Sequence, residues 1–358
     1  MRGRYRLGVP LAALAALAAL AIPMGMRVAF QALSLPLDPT AGVVQPLGRD
    51  ALAQAVGGRR ALVVGGTRGI GRHVALELAR LGAHVSIAGR SAGESHMREL
   101  VEAAGGANLS APASGAYAFD LLTVRGCVEL VEALQANEVK IDLLVMTVGM
   151  WPDLEEPRTK EGHDKVLMLD VIARFIVLDG LARGGDKAVL QPDARVLSVL
   201  ASTQWLPVPS QLDVLHAWVR GDDGYRFAGV HHMPTLMAVA AVSHDAMLQH
   251  AAHTHTHLRV VGTHPGVVPT DVFTPTVPAW SVPLLKRVIT WLPMSLSPVK
   301  AGLTQIQIAV SPNVETRKVT YFNHDMEGRK ALARAYDARF QKWLWNHLTE
   351  VRRRGLQL

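Results

Sequence analysis

The chain has almost no cysteine: one residue, Cys127, in 358. A lone thiol excludes an internal disulfide framework, and no Cys/His cluster shows zinc-finger spacing, so neither bridges nor a structural zinc can hold the fold. Cys127 reads as a small apolar core residue, because nothing near it in sequence would activate it as a nucleophile. Aromatic residues are also scarce, at 5%, and the basic residues are not gathered into a reader motif with interleaved aromatics, much of the charge lying at the two ends. This argues against a nucleic-acid partner even though the net charge is +7 and the pI is near 9.7. Acidic residues are missing ahead of Asp38, and Leu7 to Met26 carries no charge of either sign. There is no internal repeat, which excludes a solenoid or propeller.

The uncharged run follows Arg2, Arg4 and Arg6 and reaches the length of a membrane span. Its insertion energy comes mainly from Leu7, Leu11, Leu14, Leu17, Leu20 and Ile22, at about −0.3 to −0.6 kcal/mol each. A signal anchor, a cleaved signal peptide and an organelle-targeting presequence all suit such a stretch. Its length favours the first, so the expectation is a membrane-associated protein with a single-pass N-terminal anchor over residues 1–30, in the endoplasmic reticulum or mitochondrion. Attraction to an anionic membrane surface would use the basic excess. Residues 31–58, rich in Pro and Gly, read as a linker.

What the chain does have, from Arg60 to Arg90, is one strand, turn, helix, strand unit. The apolar run Ala61-Leu62-Val63-Val64 passes into Gly65-Gly66-Thr67-Arg68-Gly69-Ile70-Gly71, a helical pattern follows from Arg72 to Leu81, and His84 to Ala88 is a second strand. Such a unit brings bare backbone N–H groups and a helix N-terminus to the carboxyl edge of a parallel sheet, where they can hold a pyrophosphate. The end of the second strand distinguishes the nicotinamide cofactors. An acid there would bind the ribose 2′-OH of NAD, whereas arginine accommodates the 2′-phosphate of NADP. This chain places Arg90 there and Arg68 in the loop, and the next acid is Glu94. Both positions point to NADP.

The spacing Gly65-x-x-x-Gly69-x-Gly71 resembles the short-chain dehydrogenase/reductase family, whose loop reads Thr-Gly-x-x-x-Gly-Ile-Gly; Val64 stands at the threonine. The resemblance extends over residues 59–325, closest to the retinol-dehydrogenase-like members. It implies an α/β, doubly wound parallel sheet of Rossmann type with about seven strands, between the N-terminal segment and a C-terminal helix in residues 326–358. It also implies that Gly65, Thr67, Arg68, Gly69, Ile70, Gly71 and Arg90 hold the cofactor. Asp120 with Leu121 would meet the adenine, although Asp120 could instead cap the helix from Val124. His264-Pro265-Gly266 with Thr270 resembles the element that places a threonine near the nicotinamide carboxamide.

The catalytic half departs from the family. Its Asn-Asn-Ala-Gly reads Met146-Thr147-Val148-Gly149 here, which suggests that the central strand has lost its polar bracing. On the helical segment Thr159 to Leu181, which in the family builds a dimer face, the tetrad asparagine falls on Asp170. The serine falls on Ala201 with Ser202 one residue late, and the Tyr-x-x-x-Lys pair falls on His231 and Thr235. No Tyr is followed four residues later by Lys, and no lysine lies between Lys187 and Lys286. Two functions follow. One is an NADP(H)-binding protein with little or no turnover. The other is an active reductase of a lipophilic carbonyl, in which His231 gives the proton, Ser202 polarises the oxygen and Asp170 assists. A lipophilic small molecule and a possible homodimer are the partners implied.

The long loop Thr203 to Val230 would wall the substrate pocket with apolar residues, and Thr276 to Pro298 reads as a lid or a packed loop. Val299 to Val310, Val319 to Phe322 and Met326 to Val351 read as helix, strand and helix. His253, His255 and His257 alternate before the sixth strand. A His-rich polar turn explains them better than a metal, so no metal site is expected.

Overall fold

Residues Arg60–Val64 (β1) and His84–Ala88 (β2) are buried along nearly their whole length, as parallel strands must be when helices cover both faces. A computed structural model of the chain describes residues 35–106, 114–185, 188–200, 208–221, 233–273, 277, 279–291 and 295–357. With Ala116–Tyr117 (β3), Ile141–Met146 (β4), Leu190–Val199 (β5), Arg259–Thr263 (β6) and Val319–Phe322 (β7), the strands form one parallel sheet in the order β3-β2-β1-β4-β5-β6-β7. The doubly wound sheet of seven strands is therefore as the sequence implies. Reversal of strand order between β1 and β4 opens a crevice at their carboxyl ends, where ligands of this fold class bind.

Alternate β1 residues feed two cores. Leu62 and Val64 face Val124–Ala136 (α4), Ala173–Ala182 (α6), Met233–Thr254 (α8) and Ala338–Gly355 (α11). Ala61 and Val63 face Arg49–Val56 (α1), Gly69–Arg80 (α2), Glu94–Ala103 (α3) and Pro298–Ala309 (α10). On the second side α2 and α10 lie close because Gly302 has no side chain; a Cβ there would sit 3.0 Å from the backbone of His73. A short helix, Lys165–Leu167 (α5), is capped by Asp164, whose carboxylate accepts from the N–H groups of Val166 and Leu167. It runs into a π-helical turn, Met168–Ile172, before α6.

Several expectations need correction. Among the described residues no helix is long and apolar enough to cross a membrane, which overturns the expected single-pass anchor; Leu7 to Met26 itself lies outside those residues. The stretch read as linker carries α1 and buries Ala41, Val44, Leu52 and Val56, while Leu37 and Val43 form bridges to Arg329 and Glu327. The C-terminal helix starts at Ala338, not Met326, because residues 327–329 are taken up by those bridges. The two presumed loops each contain a helix, Leu212–Arg220 (α7) and Val282–Thr290 (α9).

Candidate active site

The glycine loop is folded flat against its neighbours. Gly65 has φ +89°, a conformation that L side chains rarely adopt, and a Cβ there would stand 2.7 Å from the Val148 nitrogen. At Gly71 a Cβ would meet the Gly65 carbonyl and Thr147 Oγ1, both at 2.3 Å. The Gly65 N–H donates to the Ala88 carbonyl (2.8 Å), which ties the loop to the end of β2. Helix α2 begins at Gly69, so its first-turn N–H groups point out at the crevice. Thr67 lies against Gly89, and Thr270 against Gly69, at 3.5 to 3.7 Å from the Cβ positions of those glycines. Ile70 packs on Val268, Leu296 and Ala301 and fixes the first turn of the helix. A loop that only glycine lets lie this close to Thr147 and Val148, leading into the first turn of a helix, fits the pyrophosphate of a dinucleotide.

Arg68 and Arg90 are exposed on one side of this cradle, and neither guanidinium group forms an ion pair or hydrogen bond among the described residues. Asp120 is exposed nearby, and its Oδ1 accepts from the Leu122 N–H (3.1 Å). It does not cap α4: Thr123 does, accepting from the Gly126 N–H, while the Glu161 carboxylate accepts from the Val124 N–H. Leu121 is buried beneath Asp120, against Val124 and Cys127 in the same core. Burial raises the Cys127 thiol well above its ordinary range, so this residue is inert packing.

Across the cradle, at the ends of β4 and β5, the polar bracing thought lost is present in another form. Thr147 Oγ1 donates to the Val64 and Gly65 carbonyls (3.2 and 3.3 Å). Arg174, on α6 and fully buried, donates to the carbonyls of Met146, Val148 and Val199 and to Ser198 Oγ. Ser198 Oγ lies 2.7 Å from His244 Nε2, and His244 Nδ1 lies 3.0 Å from Asp245 Oδ1. All three are buried, and burial lowers the His244 pKa against the pull of Asp245. These groups build the floor rather than a nucleophile, since nothing reaches them from solvent. The sequence reading passed over Arg174 and His244. Their signal was a charged or polar residue inside an otherwise apolar helix, which is rarely left unpaired.

Of the expected catalytic residues, Asp170 lies in the π-helical turn, 2% exposed, facing Gly149: a Cβ at 149 would stand 2.5 Å from Asp170 Oδ1. Burial pushes its pKa up to about 7, with Arg174 opposing and Asp164 adding to the rise. Ala201, Ser202 and His231 lie outside the described residues; Thr235 is half-buried in the first turn of α8. His264 is held down to about 4 by burial and by His324, so its ring is neutral at pH 7. The three alternating histidines do not converge: His255 Nε2 is 3.1 Å from the buried Asp179 carboxylate and His253 Nδ1 is 2.7 Å from the Gln249 carbonyl.

At the mouth, Asp271 pairs with Lys286 and draws α9 to the element that follows Thr270. Trp280 (77% exposed), Leu284 and Trp291 (88% exposed) project around it.

Residues 59–183 match the sequence model of a family described as short chain dehydrogenase. A polyprenol dehydrogenase of Homo sapiens is 27% identical over 297 residues, covering 82% of this chain and 84% of that protein. A human protein named dehydrogenase/reductase SDR family member 13 is 28% identical over 267 residues, covering 74% and 66%. Among solved structures, a short chain dehydrogenase from Burkholderia cenocepacia in complex with NADP superposes with a TM-score of 0.50 at 19% identity, over 75% of this chain and 98% of that one.

Proposed function

We propose that the chain, whose residues 59–183 match the sequence model of the short chain dehydrogenase family, belongs to that family, binds NADP(H) and has little or no redox turnover. The observation that carries this reading is the contrast across the cradle. On one side Gly65, Thr67, Arg68, Gly69, Ile70, Gly71 and Arg90 fit a phosphorylated dinucleotide, with neither guanidinium group paired among the described residues. On the other, the places of the family's asparagine, serine, tyrosine and lysine are Asp170, Ala201, His231 and Thr235.

When bound, NADP(H) supplies or accepts a hydride. The chain would hold the pyrophosphate on the Gly65–Gly71 backbone and the first turn of α2, the 2′-phosphate on Arg68 and Arg90, and the adenine beside Asp120 and Leu121. Thr270 would approach the carboxamide. No Tyr followed four residues later by Lys occurs in the sequence to pass a proton to a substrate oxygen, and losing one positioned general acid typically costs 10² to 10⁴ in rate.

A second reading is favoured by the exposed apolar rim of Trp280, Leu284 and Trp291 beside Thr270 and by the name of the human relative. It is an active NADP(H)-dependent oxidoreductase of a lipophilic alcohol or carbonyl, with His231 as proton donor and Ser202 polarising the oxygen. Purified protein titrated with NADPH and then given retinoid, steroid, fatty and isoprenoid aldehydes separates the two. Binding with cofactor oxidation no faster than the no-enzyme rate supports the first. Turnover that falls about 100-fold on His231→Ala establishes the second.

A further inference from the structure

Asp170 is a buried carboxyl with no side-chain hydrogen bond among the described residues, set behind Gly149 at the end of β4. Its Oδ1 has no partner among the described residues. Arg174 lies one helical turn away, but its Nη atoms are spent on β4, β5 and Ser198. The π-helical turn at Met168–Ile172 sets the carboxyl toward Gly149, where the absence of a side chain leaves it facing the end of β4.

Strand order says what lies there. Arg90 ends β2, the glycine loop ends β1, and Gly149 follows β4, in that spatial sequence. A dinucleotide whose 2′-phosphate is at Arg90 and whose pyrophosphate is on the loop would carry its nicotinamide half toward Val148 and Gly149, behind which the buried Asp170 carboxyl lies. The nicotinamide ring is positively charged when oxidised and neutral when reduced. A carboxylate beside it distinguishes the two by charge; a protonated carboxyl does not.

We propose that Asp170 is the residue by which this site selects between NADP⁺ and NADPH, retaining the oxidised form when its carboxyl is ionised and losing that bias when it is protonated. The inference rests on the NADP(H)-binding reading above. Other charged groups packed near it are shifted by causes of their own. Arg174 on α6 keeps its charge, held at about 10 by burial. Asp164 ahead of α5 has a pKa raised by burial but accepts two backbone hydrogen bonds that favour its anion. His244, on α8 beyond Arg174, has its pKa lowered by burial against the pull of Asp245. The Asp170 window lies near neutrality.

The test is the ratio of dissociation constants, Kd(NADP⁺)/Kd(NADPH), from pH 5.5 to 8.5, by calorimetry for the oxidised form and intrinsic fluorescence for the reduced. Ionisation of the 2′-phosphate near pH 6 is common to both ligands and cancels. The expected ratio falls about 3- to 10-fold as pH rises through 7. In Asp170→Asn it should be flat. Asp170→Leu serves as a second neutral variant should the amide misfold. A wild-type ratio constant within twofold, or a slope that survives both substitutions, overturns the proposal while leaving cofactor binding intact. Absence of binding to either form at any pH overturns the cofactor reading itself, and this inference with it.

Discussion

At the scale of single residues the cradle and the two arginines proposed for the 2′-phosphate, Arg68 and Arg90, can be tested separately. Arg90→Asp should reverse the preference for NADPH over NADH by tenfold or more, since one or two charge-assisted contacts at about 1.5–3 kcal/mol each are lost and a repulsion is added. Equal affinities of the unaltered protein for the two cofactors would remove the assignment. Gly71→Ala drives a methyl group into the Gly65 carbonyl and Thr147. It should cost about 1–3 kcal/mol of stability and abolish cofactor binding, whereas Gly93→Ala, with open space at its Cβ, should change neither. Thermal melts with and without NADPH read both effects.

Asp170 also makes a stability prediction whose sign can be worked out. Its folded pKa, about 7, exceeds the ordinary 3.8, so between these values the native state binds more protons than the unfolded chain. Stability is then lost as pH rises from about 4 to 7 and stays lower above 7. Asp170→Asn should therefore be more stable than the unaltered protein at pH 8, by an amount on the order of a few kcal/mol, with the difference closing near pH 4. Parallel denaturant titrations at the two pH values would show it; equal differences at both would mean that the carboxyl is solvated.

At the scale of elements, the glycine unit was legible because its chemistry is local. A turn needing positive φ, a strand before it and a helix after it leave their marks within a few tens of residues. Strands β2 and β7 were likewise readable from period and composition, to the residue. The bracing of β4 was not, because it is supplied across the fold: Arg174 is 26 residues beyond the carbonyl of Val148 that it holds. Short helices such as α7 were missed because they sit between turn-forming residues and look like loop over any short window. Removing the brace should be costly. Arg174→Met leaves three carbonyls and Ser198 without their donor, and a loss of roughly 3–5 kcal/mol is expected, measurable by denaturant unfolding.

At the scale of the whole molecule, the helical face that the family resemblance assigns to dimer formation is covered from within. The Phe175 ring meets Trp345 edge-on at 4.9 Å, and Arg352 both stacks over Phe175 and pairs with the buried Asp179 carboxylate (2.7 Å). Helix α11 thus takes the position that a second copy would need on α6. The expected particle is a monomer by light scattering, and Arg352→Ala with Trp345→Ala should loosen α11 and bring on self-association. A stable dimer of the unaltered chain would mean that another surface pairs.

The bridges from Leu37 to Arg329 and from Val43 to Glu327 bear on synthesis. Strands β1, β2 and β4 can begin to pair while the chain is still emerging, but Ala41 and Val44, which those bridges help to bury, must wait for residues made almost three hundred codons later. Until then the early segment is apolar and unsheltered on the ribosome. The fold is in effect buttoned last at the place where it was started first, and a nascent chain stalled before Glu327 would present a standing target for chaperones and proteases.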